Sequence, residues 1–274
     1  MSRRREISGK LPLIIGHRGA SARAPENTIA AFNLAFHWGA DGIEFDVRLG
    51  RDGVPVCIHD PMLLRTASLN QRVDEFDSTL LSQFFVGKWF NLKNPDRAIE
   101  GFEWETIPTL AEIFERYGEH HLYVEMKCEE PSSRVKLASA VVNLIREHKL
   151  GERLVVKSFE HDALVEVKKL APDIRTAALF GRSWPRPFVP PAKILAQAEA
   201  CGADEISLHR SLMRKATVEA ARGRGFEVVV WTINSPFWMR RAAAMNVRAV
   251  ITDDPYQLRH KFVVRRGPGE VIGY

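Results

Sequence analysis

The chain reads as an α/β protein of the (β/α)8 TIM-barrel class, with a small insertion after its second strand. Three observations carry this. Eight short apolar runs recur along the 274 residues, each followed by a stretch with helical spacing, and strict alternation of strand and helix is the pattern of a parallel α/β fold. The length suits one barrel. The polar residues with chemical potential fall at the carboxyl ends of the runs, the face on which barrels carry their sites. A doubly wound open sheet is the structural alternative. It is disfavoured because no Gly-x-Gly-x-x-Gly follows the first run.

Strand one is the run Leu11–Ile15, and it ends at Gly16-His17-Arg18-Gly19-Ala20. The flanking glycines indicate a tight turn where backbone approaches a ligand. Pro25-Glu26-Asn27-Thr28 opens an amphipathic helix through Trp38, with Pro and Glu as first-turn residues. Gly39 stops it. Strand two runs from Asp41 to about Leu49, Asp52-Gly53 makes a hairpin turn, and Val54–Ile58 returns as an extra strand ending at His59-Asp60. Residues 61–107 fit no βα unit and are expected to pack over one end of the barrel. A helix follows Ile107-Pro108-Thr109-Leu110 as far as Arg116.

Strand three is His121–Met126, and Ser132 and Ser133 are expected to cap the helix that runs to His148. Strand four is Leu154–Lys157, with a helix at His161–Leu170. Strand five is Ile174–Phe180, with a proline-rich loop at Trp184–Pro191 and a helix at Ala192–Ala200. Strand six is Asp204–Leu208, followed by a helix to Arg222; strand seven is Phe226–Trp231, followed by Pro236–Met245. Strand eight is Ala249–Ile251, and Asp253 is expected to cap a short last helix. The tail 261–274 reads as an arm or as disordered, leaving 1–260 as a single domain; the polar start, residues 1–10, is expected to fray.

The most informative stretch is strand two. Its period of two puts Glu44 and Asp46 on one face and Ile43, Phe45 and Val47 on the other. Two carboxylates on a buried strand repel each other and lose hydration, so a compensating charge is expected. Oxygen ligands of this kind suit one divalent cation, Mg²⁺ or Ca²⁺. The bland alternative is a strand with one solvated polar face. Glu125 at the end of strand three could complete a three-carboxylate site, or it could simply pair with Lys127 on the same face. His17 and His59 could act as general acid and general base, because imidazole titrates near neutral pH. Arg18 and Lys127 could hold an anion. Together these residues fit metal-assisted phosphodiester cleavage.

Composition narrows the class. A hydrophobic fraction of 45% with 27% charged residues is that of a folded globular chain, not a disordered one. The net charge of +5 comes from scattered Lys and Arg, with clusters near the ends at Arg3-Arg4-Arg5 and Arg265-Arg266. No patch or module for nucleic acid is visible, and an anionic small molecule suits the charge. Three widely spaced cysteines, Cys57, Cys128 and Cys201, imply no disulfide framework and suit a reducing cytoplasm. The apolar run at 11–15 is too short for a signal segment, and no run reaches transmembrane length.

His17-Arg18-Gly19-Ala20, Pro25-Glu26-Asn27-Thr28, Glu44-x-Asp46, His59-Asp60 and Glu125-x-Lys127, in that order, resemble the glycerophosphodiester phosphodiesterase family. Ile107-Pro108-Thr109-Leu110, Ser158-Phe159, Trp231-Thr232-x-Asn234 and Thr252-Asp253-x-Pro255 resemble its later, weaker signatures. The likeness spans about residues 12–258. It implies a barrel with an insertion after strand two, a metal at Glu44, Asp46 and Glu125, His17 and His59 as acid and base, and Arg18 and Lys127 on the phosphate. It implies hydrolysis of glycerophosphodiesters to glycerol 3-phosphate and an alcohol, with Trp231 able to cover the glycerol. A neighbouring substrate hydroxyl is the expected nucleophile, giving a cyclic phosphate intermediate, since aligned intramolecular attack far outruns water. The insertion departs from the family's glycine-rich pattern at Ala67–Arg72, which bears on substrate preference. Two other readings compete. A lysophospholipase D would need an apolar channel, which Phe84, Phe85, Trp89 and Phe90 could line. A non-catalytic binding barrel would be favoured by loss of a histidine or carboxylate from the set, and none is lost.

Overall fold

In the computed structural model, which describes residues 11–128, 130–181, 189–261, 264–266 and 270–272, eight parallel strands close into a barrel. They are β1 (Leu13–His17), β2 (Gly42–Leu49), β4 (His121–Met126), β5 (Leu154–Ser158), β6 (Arg175–Phe180), β7 (Glu205–His209), β8 (Glu227–Trp231) and β9 (Ala249–Thr252). Between β2 and β4 a ninth strand, β3 (Pro55–Cys57), returns antiparallel on the end of β2. Pairing of β1 with both β2 and β9 closes the ring. The expected polar start and residues 184–188 of the expected proline-rich loop lie outside the described residues.

Each strand is buried on both sides, as a parallel barrel strand must be. The outward residues of β2, Ile43, Phe45 and Val47, pack under the helices in the main core. The inward residues form a second, smaller core: Ile15, Tyr123, Val155, Ala177, Val229, Ala249 and Ile251. Below it, at the amino-terminal mouth, Glu205 is buried between Arg175 at 2.9 Å and Arg248 at 3.2 Å and accepts a hydrogen bond from the Tyr123 hydroxyl. This ionic floor plugs one end of the barrel.

Helix α1 spans Ile29–His37, later than expected. Asn27 has a positive φ of 59° and Thr28 is extended, its hydroxyl accepting from Ala31 N–H. Thr28 is therefore the cap, and Pro25 and Glu26 belong to the loop before it. The glycines around His17 also have a packing role. A Cβ on Gly19, at φ 83°, would sit 2.5 Å from the backbone of Ala31. The tight turn is there, with Gly19 N–H donating to the Gly16 carbonyl at 3.3 Å, and Gly19 also lets α1 approach the loop.

The insertion carries α2 (Leu64–Ala67), α3 (Ser78–Leu81), α4 (Lys88–Lys93) and three short 3₁₀ turns. It has its own core, built from Leu63, Val73, Leu81, Val86 and Ile107 against Val56 and Ile58. A second contact buries Phe90 and Phe102 on Ala24 and Ala31, clamping α4 over the β1–α1 loop. After it come α5 (Leu110–Tyr117), capped by Thr109, and α6 (Pro131–Glu147). Pro131 occupies the first position of α6, so Ser132 and Ser133 lie inside its first turn and do not cap it. The remaining helices are α7 (His161–Leu170), α8 (Pro191–Ala200), α9 (Lys215–Gly223), α10 (Pro236–Ala244) and α11 (Pro255–Lys261). Asp254, not Asp253, caps α11 by accepting from Gln257 N–H. The tail, expected as an arm or disordered, carries two short antiparallel strands, Val264–Arg266 and Glu270–Ile272.

Candidate active site

Strand register assembles the site. His17 on β1 is level with Glu44 on β2, Asp46 is level with Glu125 on β4, and Glu125 is level with Lys157 on β5. These inward positions lie at the carboxyl ends of their strands. Glu44, Asp46 and Glu125 are 0%, 1% and 5% exposed, which excludes the solvated-face reading. One oxygen from each lies within 4.8 Å of the others, and no second such group of acid, His or Cys side chains occurs among the described residues.

Three cations meet these acids. Lys157 Nζ is 2.7 Å from Glu44 Oε1 and 3.5 Å from Glu125 Oε2. Lys127 Nζ bonds Glu125 Oε1 and lies 3.2 Å from Asp46 Oδ1. Arg18 Nε is 3.0 Å from Asp46 Oδ2, though out of line for a hydrogen bond. Asn27 donates to the same Asp46 oxygen at 3.0 Å. Burial works against ionisation of Asp46, but Lys127 and Arg18 overcome it and hold that carboxyl well below its usual range. Burial likewise opposes Glu44, and Lys157 and His17 outweigh it, so its pKa is lowered. For Glu125 burial wins over both lysines, helped by the charges of Asp46 and Glu44, and its pKa is raised.

The two histidines are built alike. His17 Nδ1 is 2.6 Å from Asp253 Oδ1, and His59 Nδ1 is 2.6 Å from Asp60 Oδ1. A neutral ring that donates Nδ1–H to a carboxylate keeps Nε2 as the proton-accepting nitrogen. For His17 that nitrogen faces the acids, 3.9 Å from Glu44 Oε2. Burial pulls the pKa of His17 down, but the Glu44 charge and the Asp253 bond prevail and raise it. Arg18 also binds Glu26, which Arg65 of α2 grips from the other side, and Arg65 continues to Asp60. One ion-pair chain thus ties the loop bearing His17 to the loop bearing His59.

Trp231 ends β8 with its Nε1 donating to the Ser207 carbonyl, and its ring meets Phe159 at 5.6 Å and His209 at 5.2 Å. The Lys127 ammonium lies 5.9 Å from the Phe159 ring, so the aromatic ledge borders the carboxylates. A separate cleft of about 460 Å³ opens from His17 and Arg18 beneath α4. Of the four aromatics offered for an apolar channel, only Trp89 and Phe90 line it. Phe84 packs on Phe76 in the insertion, and Phe85 is exposed against Trp104. Sequence reasoning missed Lys157, read merely as a strand end, and Asn27, read as a helix starter. It also placed Asp253 at a helix cap, whereas Asp253 accepts from His17 and from Asn234. The signal for Lys157 was available: a lysine inside an apolar buried strand needs an acidic partner.

Buried acids able to hold a cation, proton-transfer groups on either side and fixed positive charge are the requirements of phosphodiester cleavage. A barrel carrying them at this mouth falls among the phosphoric diester hydrolases. Residues 17–257 match the glycerophosphoryl diester phosphodiesterase family, and the chain belongs to it. It is 34% identical over 262 residues to a glycerophosphodiester phosphodiesterase of Caldanaerobacter subterraneus, covering 93% of this chain and 98% of that one. A glycerophosphodiester phosphodiesterase of Bacillus subtilis is 29% identical over 262 residues, with 93% and 87% covered. Among solved structures, a phosphodiesterase of Oleispira antarctica in complex with the product sn-glycerol-3-phosphate superposes with a TM-score of 0.77 at 30% identity, covering 90% of this chain and 95% of that one. The protein is thus an enzyme, and the non-catalytic reading falls away. No helix among the described residues is long and apolar enough to cross a membrane.

Proposed function

We propose that the enzyme hydrolyses glycerophosphodiesters to glycerol 3-phosphate and an alcohol, with a divalent cation held by Glu44, Asp46 and Glu125. The observation that carries this is the pairing of that acid cluster with two histidine–carboxylate dyads. The donor set fits a hard cation such as Mg²⁺ or Ca²⁺. Asp46 Oδ1 is fully buried without an aligned hydrogen-bond donor, which leaves an oxygen lone pair for a cation. When bound, the cation supplies charge stabilisation at the substrate's oxygens.

The chain's own groups do the rest. Arg18 and Lys127 orient the phosphate and offset charge on its oxygens. One of His17 and His59 takes the proton from the attacking hydroxyl through Nε2; the other protonates the leaving alkoxide. Asp253 and Asp60 hold the two rings in the required tautomer. The Trp231–Phe159 ledge covers the glycerol, keeping its free hydroxyl beside the phosphorus. Attack by that hydroxyl gives a cyclic phosphate, and water opens it with the histidine roles exchanged. The cleft wall favours polar alcohols over the acyl chain of a lysophospholipid. We assign residues 1–260 to this one domain, and the activity to the cytoplasm on the strength of three free, buried thiols.

The test is release of glycerol 3-phosphate from a panel of diesters by chelated protein, with each metal added back. Activity is expected only after addition. Full turnover in excess EDTA by metal-free protein would remove the cation from the reaction, and failure on every diester would overturn the reading.

A further inference from the structure

The cleft beneath α4 carries charges that the chemistry described so far does not use. It starts at His17 and Arg18 and is walled farther out by Trp89, Lys93, Asn94, Arg97, Asn234 and Gln257. Its acids are all engaged. Glu26 is held by Arg18 at 2.8 Å and by Arg65 at 2.7 Å. Asp253 takes His17 and Asn234, while Asp254 caps α11 and lies 3.4 Å from Arg23. Its outer cations are not. Arg97 donates to the Ala22 carbonyl at 2.7 Å, which fixes it against the β1–α1 loop, and it meets no carboxylate among the described residues. Lys93 likewise meets none; its ammonium lies over the Trp89 ring at 6.0 Å. The Arg65 guanidinium lies over the same ring at 5.2 Å.

Two consequences follow for a molecule entering the cleft. The aromatic surface that would attract a quaternary ammonium group already faces two cations, so an alcohol of the choline type meets repulsion. An anionic group meets two positive charges that owe nothing to a neighbouring acid. The glycerol lies on the Trp231 ledge in the reading above, and Trp231 is absent from the cleft wall. The cleft is then the space left for the other half of the diester.

We propose that the cleft receives the leaving alcohol and that Lys93 and Arg97 select alcohols bearing a second negative charge, phosphorylated alcohols above all. This rests on the diesterase reading and adds its substrate class. Two solvent-exposed cations acting on one phosphate are worth about two- to fivefold each, roughly tenfold together.

A matched pair of substrates tests it: glycerophosphoglycerol, and the same diester carrying a phosphate on the far glycerol. The wild-type enzyme is expected to show kcat/KM about tenfold higher for the phosphorylated diester, mainly through KM. That ratio should fall as salt rises from about 0.02 to 0.5 M, because exposed charges are screened. Lys93→Ala and Arg97→Ala should each lower the ratio severalfold, and Lys93→Glu should bring it to one or below, with melting temperatures confirming that the variants fold. Glycerophosphocholine should be the poorer substrate throughout. Equal kcat/KM for the pair, preference for the choline diester, or a ratio unmoved by the substitutions would overturn the inference while leaving the activity standing. If no diester yields glycerol 3-phosphate, the activity itself is refuted and the inference with it.

Discussion

Lys157 offers the sharpest test of the acid cluster. It is 2% exposed, and its ammonium is shared between Glu44 at 2.7 Å and Glu125 at 3.5 Å. Lys157→Met keeps the unbranched apolar stem, one atom shorter, and removes the charge. Glu44 then keeps only His17, 3.9 Å away and charged only when protonated, while Asp46 and Glu125 share Lys127. Breaking a buried ion pair in this way costs about 3–5 kcal/mol. At about 2–4 °C per kcal/mol for a chain of this size, the melting temperature should drop by roughly 6–20 °C. That drop is expected in EDTA. In Mg²⁺ or Ca²⁺ a bound cation replaces the lost charge, and at a concentration of about 100 times Kd it returns roughly 2.7 kcal/mol. The metal-induced shift should also be larger in the variant than in the wild type, because the site has one positive charge fewer. Thermal melts of both proteins, with EDTA and with each metal, measure this. A variant as stable as wild type in EDTA, or one whose metal response is no larger, would refute the argument that Lys157 and a cation offset the same negative charge.

Three further outcomes are expected. His17→Ala and His59→Ala should each lower the rate by about 10²–10⁴, and a near-normal rate for either would remove that histidine from the chemistry. Asp253→Asn should lower kcat by roughly tenfold or more with little change in melting temperature, because it disturbs the ring nitrogen's partner while keeping the side chain's size; an unchanged kcat would return Asp253 to a structural role. Burial resists ionisation of Glu26, but Arg65 and Arg18 prevail and lower its pKa. A depressed carboxyl contributes stability that is present above its ordinary pKa near 4.5 and is lost as pH falls through the folded value. Glu26→Gln should therefore be less stable than wild type by about 2 kcal/mol at pH 7, and the gap should close on acidification below pH 4.5. Urea midpoints at pH 7 and pH 3 read it directly.

The barrel was legible because short strand-like segments alternate with helical ones along the chain, as Leu13–His17 and Gly42–Leu49 do on either side of Ile29–His37. Glu44, Asp46, His17 and His59 stood out locally, as ionisable groups at the ends of apolar strands. Lys157 showed locally only as a lysine in an apolar strand; that its partners are Glu44 and Glu125 depends on strand register, which a single strand does not display. Asp253 was misread for a related reason. Beside a proline, an acid reads as a cap; only closure of the ring brings it 2.6 Å from a histidine 236 positions earlier in sequence. The insertion was recognisable as an interruption. The division of its aromatics between core and cleft depends on how α4 is clamped, which no periodicity records.

The strand β3 has one further consequence. It lies outside the closed ring, pairing antiparallel with β2 alone apart from a single bridge to Thr109. His59 follows it, directly after Ile58 of the insertion's separate small core, whereas His17 ends a strand held on both sides by barrel neighbours. The two histidines therefore stand on segments held by different numbers of strand partners, joined by the Glu26–Arg65–Asp60 ion pairs. Sub-global opening of β3 and the insertion would carry one away while the eight-stranded ring stayed intact. Activity should then vanish at a lower urea concentration than the far-ultraviolet circular dichroism of the barrel. The amides of Ile58 and Val73, bonded to Asp46 and Pro61 carbonyls, should exchange with solvent well before those of β4 and β5. An enzyme put together in this way can be silenced without being melted.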